Sequence, residues 1–171
     1  TARGRGSGGC DSGLPEGERF VKSVLFVCTG NTCRSPLAEA LTRVESERRG
    51  IDVTVSSAGI LAADGTPASP QSVDAAARRG ADLTEHRSRT LRPAALVGAD
   101  LVLTMPSAHL GTLRTEHGRE LNAALVTEFL PLEHDRHGDS VSDPFGGGED
   151  EYEEVACLLE ECIGHVLDRL S

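Results

Sequence analysis

The stretch Val24-Leu25-Phe26-Val27-Cys28-Thr29-Gly30-Asn31-Thr32-Cys33-Arg34-Ser35-Pro36 decides the fold. Its first four residues form an apolar run too short for a helix and bounded by polar and turn-forming residues, as in a strand buried on both faces. A helix is predicted to follow, with Ser35 as its N-cap, Pro36 at its first position and Leu37, Leu41 and Val44 on one face. Strand, glycine-containing loop and helix, in that order, open a βαβ unit.

The alternation continues outward from this start. The pattern predicts strands at Val53–Ser57, Asp100–Met105 and Ala124–Phe129, and helices over Pro70–Arg79 and from Ser107. The last helix, Asp150–Leu170, repeats Val155, Leu158, Leu159, Ile163, Val166 and Leu167 at helical period. Helical crossovers between strands imply parallel pairing. The expected fold is therefore a single α/β domain, a four-stranded parallel sheet with helices on both faces. A chain of 171 residues suffices for one well-packed domain and is too short for two. Residues 1–20 are glycine-rich without apolar periodicity and read as a flexible lead-in, leaving 21–171 as the domain; Cys10 reads as an incidental thiol. With one Tyr, four Phe and no Trp, the core has to be aliphatic.

Charge narrows the partners. A formal net charge of −10 argues against nucleic acid, which requires clustered Lys and Arg. No apolar run reaches the ~18 residues of a membrane span, and no secretory stretch opens the chain, so a cytoplasmic protein acting away from membranes, and as a monomer, is expected. Five cysteines at irregular spacing make a poor disulfide framework, so at least one thiol is expected to serve by its reactivity.

The segment Cys28-x5-Arg34-Ser35 supplies that reactivity. It lies where an open α/β sheet binds ligands, beyond the carboxyl end of a strand. A short loop entering a helix turns backbone N–H groups inward, and these donors with the helix dipole stabilise a phosphate. Thr29, Gly30, Asn31, Thr32, Cys33 and Ser35 are thus expected phosphate-loop residues, with Gly30 at positive φ, Asn31 bracing the loop, and Arg34 pairing two phosphate oxygens. The same field favours a thiolate at Cys28, and a hydrogen bond from Ser35 would add to it, giving a nucleophile that faces phosphorus. A Walker loop is excluded, because no Gly-Lys-Ser/Thr follows.

VLFVCTGNTCRSPLAEAL resembles the signature of the low-molecular-weight protein tyrosine phosphatases, and in particular of their bacterial protein-arginine phosphatase branch. The resemblance extends from about residue 22 to the C-terminus through Ser57-Ala58-Gly59, Ala99-Asp100-Leu101-Val102-Leu103-Thr104-Met105 and Asp143-Pro144-Phe145-Gly146-Gly147. It implies a cysteinyl-phosphate on Cys28, with Asp143 as general acid and then general base, Phe145 at the pocket rim, phosphorylated proteins or peptides as substrates, and neither metal nor cofactor. It also implies that Cys33 can form a reversible disulfide with Cys28. Without Cys28 and Arg34, Asp143 would read as a solvated turn residue in an Asp-Pro turn.

Substrate choice turns on Thr32, because the arginine phosphatases carry threonine there and the tyrosine phosphatases a bulkier aliphatic residue. Ile60-Leu61-Ala62-Ala63-Asp64 has no aromatic residue to stack on a phenol, and nine Asp or Glu between Glu133 and Glu154 face Arg136 alone, which favours a cationic substrate if that stretch rims the pocket. Phosphoarginine is the preferred reading and phosphotyrosine the alternative. An arsenate reductase would need a second cysteine pair before the last helix, a phosphocysteine carrier would not need Asp143, and a phosphopeptide-binding module would lack one catalytic part. His134, Asp135, His137 and Asp139 supply no evident metal set. Cys157 and Cys162 stand about 140° apart around the last helix and are expected to be core residues.

Overall fold

The computed structural model describes residues 23–171. Cys10 and the segment 1–20 lie outside the described residues. In chain order the described residues form β1 (Ser23–Cys28), α1 (Arg34–Arg49), β2 (Thr54–Gly59), α2 (Pro70–Ala77), α3 (Pro93–Gly98), β3 (Leu101–Thr104), α4 (Ser107–His117), β4 (Ala123–Leu125), a 3-10 turn (Val126–Phe129) and α5 (Glu149–Asp168). The sheet is parallel throughout, in the order β2-β1-β3-β4.

That order explains where the site lies. The chain leaves β1 toward β2 on one side and returns to β3 on the other, so the crossovers diverge at the carboxyl end of β1, the switch point of such a sheet. Right-handed crossovers in opposite directions put α1 on one face and α4 on the other. Alternation along β1 then serves two cores. Val24, Phe26 and Cys28 join Leu37, Leu103, Leu159, Ile163 and Leu167, whereas Leu25 and Val27 join Leu96, Val102, Leu110 and Leu113. Burying a Leu such as Leu159, fully enclosed here, is worth roughly 2–5 kcal/mol relative to Ala, so α5 is held by its apolar face.

Three local expectations are corrected and one helix is added. The first helix begins at Arg34 with no side-chain cap, because the Ser35 hydroxyl is engaged with Cys28 instead. The last strand stops at Leu125, where the Glu128 carboxylate takes the Leu125 N–H (2.9 Å) and the chain coils into the 3-10 turn. The short helix at Pro93–Gly98 had no sequence signal beyond Pro93, since it buries only Leu96. Cys162 is in the core as expected, but Cys157 is exposed, with an Arg79 N–H directed at its sulfur.

Candidate active site

The carboxyl end of β1 places Cys28 at the floor of a cleft of about 210 Å³ lined by Cys28, Thr29, Gly30, Thr32, Cys33, Arg34, Asp143 and Phe145. Among the described residues, the N–H groups of Gly30, Asn31, Thr32 and Cys33 donate to no protein acceptor. Unpartnered donors grouped at the start of α1 form an anion cradle.

Asn31 holds the cradle in shape. The loop places its positive φ at Asn31 (54°) and not at Gly30, which corrects the expectation for Gly30; asparagine is among the few non-glycine residues that tolerate this region. Its amide is fully used, with Nδ2 donating to Ser35 Oγ and Ser57 Oγ, both at 2.9 Å, and Oδ1 accepting the Arg89 N–H at 2.9 Å. The Asn31 carbonyl lies 2.8 Å from His86 Nε2, and since a carbonyl only accepts, His86 carries its proton on Nε2. Ser57 in turn donates to the buried Glu39 carboxylate, which Arg43 pairs.

This network also orients Ser35. Because Ser35 Oγ accepts from Asn31, its proton is free for Cys28 Sγ, 2.9 Å away, and the sulfur accepts that hydrogen bond at the floor of the cleft. The close approach of β2 is equally specific. A Cβ at Gly59 would stand 2.5 Å from the Thr29 carbonyl and 2.9 Å from the Asn31 nitrogen, so only glycine lets β2 support the loop from behind.

Arg34 is buried and directed into the cleft by three contacts. Nη1 donates to the Val141 carbonyl at 2.9 Å; Nη2 donates to Thr29 Oγ1 at 3.4 Å and lies 3.6 Å from Asp143 Oδ2. Asp143 is half exposed: Oδ1 accepts the Phe145 N–H in a turn, and Oδ2 faces Arg34. Gly146, at φ 79°, lets the chain double back after Phe145, which stands exposed at the rim.

Cys33 is buried, with Ser69 Oγ and Tyr152 Oη each 3.4 Å from its sulfur. Burial first, then the Cys33 contact, pushes the Tyr152 phenol up to about 12, so it remains a neutral hydroxyl. Thr32 lines the cleft and gives its carbonyl to the Ser69 N–H. The condition that the acidic stretch rims the pocket is met by Asp143 alone. Glu149 and Glu153 pair with Arg78, Glu153 also with Arg79, and Asp139 with Arg136, leaving Asp143 as the member that lines the cleft. The Arg79 and Arg78 bonds hold the Glu153 carboxyl down at about 2. His134 pairs with Glu161, and His137 donates from Nδ1 to the Leu130 carbonyl, so both rings serve local structure.

Sequence reasoning did not find Ser57, His86, Arg89, His109, Val141 or Tyr152. Ser57 carried a signal, standing two residues before Gly59 in a motif at a strand end. The others reach the loop from 40 or more residues away, where no spacing rule applies.

A thiol supported by a donated proton, facing a ring of free amides, an arginine fork and a carboxylic acid, can accept a phosphoryl group and protonate what leaves. Fold and site together define a cysteine-dependent phosphatase. Residues 23–171 match the family described as low molecular weight phosphotyrosine protein phosphatase, and the chain belongs to that family. A protein-arginine-phosphatase of Bacillus subtilis is 38% identical over 149 residues, 86% of this chain and 96% of that protein. Among solved structures, a low molecular weight protein tyrosine phosphatase from T. tengcongensis superposes with a TM-score of 0.80 at 38% identity, covering 87% of this chain and 99% of the other. A YwlE arginine phosphatase, described as a cysteine-to-serine mutant with a phosphorylated active-site serine, gives a TM-score of 0.79 at 36% identity, covering 86% of this chain and 95% of the other. This chain is thus a low molecular weight protein phosphatase that acts on phosphorylated protein side chains.

Proposed function

We propose that this phosphatase hydrolyses phosphoarginine in proteins, through a cysteinyl-phosphate on Cys28. In this mechanism the Cys28 thiolate attacks phosphorus while Arg34 and the loop amides hold the equatorial oxygens, and the bond to the guanidinium nitrogen breaks. Asp143 gives its proton to that nitrogen, then takes one from the water that attacks the phosphocysteine and releases phosphate. The phosphorylated serine described for the YwlE mutant supports a covalent intermediate at the matching position. All four described cysteines are free thiols, which suits a reducing compartment, and we place the enzyme in the cytoplasm as a monomer.

The observation that carries the substrate reading is Thr32 lining the cleft beside Cys28. Its small side chain leaves lateral room for a planar guanidinium, and its hydroxyl gives that group a polar neighbour. The exposed Phe145 ring offers a face to the same cation. By contrast, the segment after β2 presents Leu61 and no aromatic ring. Cys33 belongs to the same reading as a redox partner: a peroxide oxidises Cys28 to sulfenic acid, and Cys33 displaces water to close a disulfide.

Turnover of a phosphoarginine protein and a phosphotyrosine peptide, measured side by side, tests the assignment. Wild type should favour phosphoarginine, and Thr32→Ile should shift the ratio toward phosphotyrosine by roughly tenfold, the effect of one or two methylenes in a pocket. A ratio unmoved by Thr32→Ile would remove Thr32 from specificity, and a wild type that turned over the phosphotyrosine peptide faster would overturn the phosphoarginine assignment.

A further inference from the structure

Of the groups around the cleft, His109 is a titratable one that the phosphoryl-transfer scheme leaves unused. It lies in the first turn of α4, on the opposite side of the sheet from α1, yet its Nε2 is 2.9 Å from Thr29 Oγ1. Thr29 in turn lies 3.4 Å from Arg34 Nη2. An arginine has no acceptor, so Arg34 must donate to the Thr29 oxygen. The Thr29 hydroxyl, having accepted once, carries one proton to give away, and with the ring proton on Nδ1 His109 Nε2 is the acceptor in reach.

We propose that His109 is a positioning residue: as a neutral acceptor it fixes the Thr29 hydroxyl, and through it one arm of the Arg34 fork, in the orientation that meets a phosphoryl group. The proposal rests on the reading of the Cys28 loop as the phosphate site. The other arm is already anchored on the Val141 carbonyl at 2.9 Å. Without the Thr29 contact, Nη2 is left with the more distant Asp143 carboxylate at 3.6 Å, which belongs to a half-exposed loop. His109 and Thr29 therefore tie the guanidinium to the sheet and hold Arg34 against Asp143's pull.

The surroundings keep the ring neutral. Burial first, then the charge of Arg34, pushes His109 below its ordinary value of 6.5, and the positive end of α4 acts in the same direction. Arg34 is the charged group facing the ring, with Asp143 beyond it across the guanidinium. A protonated His109 would become a donor. Thr29 would then receive two hydrogen bonds, and the proton that had secured it would lose its acceptor.

The test is a double-mutant cycle read by calorimetric binding of inorganic phosphate, together with steady-state kinetics on the intact protein. Thr29→Val and His109→Phe should each weaken phosphate binding and raise KM by roughly five- to tenfold, as expected for one hydrogen bond to a charged group, with a smaller change in kcat. The double variant should be no worse than Thr29→Val alone, because His109 acts through Thr29. His109→Gln, whose amide oxygen can accept the same proton, should recover most of the loss, an effect that a purely space-filling role would not produce. His109→Ala makes the same comparison should the Phe variant not fold. Wild-type phosphate affinity in both His109→Phe and His109→Ala, or losses that multiply in the double variant, would overturn the proposal while leaving the site intact. A wild-type protein that bound no phosphate, with turnover undiminished in Cys28→Ser, would sink the site reading and the proposal together.

Discussion

The phosphate loop and the acid loop meet at Arg34, but they are built in opposite ways. In the first, Cys28, Asn31 and Ser35 are almost wholly buried and are held by β2, by the segment carrying His86 and Arg89, and by α5 through Tyr152. In the second, Asp143 is half exposed, Phe145 is 77% exposed, and the holding bonds are few: Arg34 to the Val141 carbonyl, Val141 to Met105, and the Asp143 turn. The difference follows from what each part has to do. A cradle for developing charge works only if its dipoles are in place before the substrate arrives, so it is rigid and dry. In the proposed mechanism Asp143 delivers a proton and regains one from water, and a group with that task has to stay open to solvent.

Four experiments break or sharpen this contrast. Cys28→Ser should lower turnover by at least about a thousandfold while leaving the melting temperature near that of wild type, since hydroxyl and thiol are similar in size and a serine lacks the thiolate's nucleophilicity. Retained activity would move the chemistry away from the buried loop. Asp143→Asn should slow hydrolysis by roughly a hundredfold, with no loss of stability, because its side chain lies in the open half of the site. Hydrolysis of p-nitrophenyl phosphate, whose leaving group needs little protonation, should suffer much less, and equal losses on both substrates would contradict the acid role.

Asn31→Ala belongs to the rigid half and should cost stability as well as rate. It removes three buried hydrogen bonds and leaves alanine at positive φ, an effect of about 2–4 kcal/mol by denaturant titration. Asn31→Gly should recover the backbone part alone. The smallest effect is one of pH. His109 sits below its ordinary 6.5 in the folded state, so the unfolded chain binds its proton more readily. Its contribution to stability is therefore complete above the ordinary histidine value and is lost as pH falls through it. The gap in melting temperature between wild type and His109→Gln should change between about pH 7.5 and 5.5, and an unchanged gap would show that folding does not lower the proton affinity of His109.

Much of the rigid half was legible beforehand. The run Val24 to Val27, the Ser35-Pro36 helix start and the Cys28-x5-Arg34 spacing are local signals, and local signals suffice for a strand, a loop and a helix that follow one another directly. The open half was legible only by its company, since Asp143-Pro144 is an ordinary turn until Arg34 is placed 3.6 Å from it. Where expectation failed, a longer-range contact had overridden a local preference: Ser35 gave up its cap for Cys28, and the acidic helix start was paired by Arg78 and Arg79, just past the end of α2.

The sequence by itself determined the order of strands and helices, the loop that carries Cys28 and Arg34, and the class of chemistry a thiol in such a loop can perform, because each is written in residues adjacent along the chain. The tertiary structure decided the rest. Parallel pairing in the order β2-β1-β3-β4 brings Ser57, Gly59, His86, His109, Val141 and Asp143 to the carboxyl end of β1. Their roles depend on distances through space, which spacing along the chain does not encode.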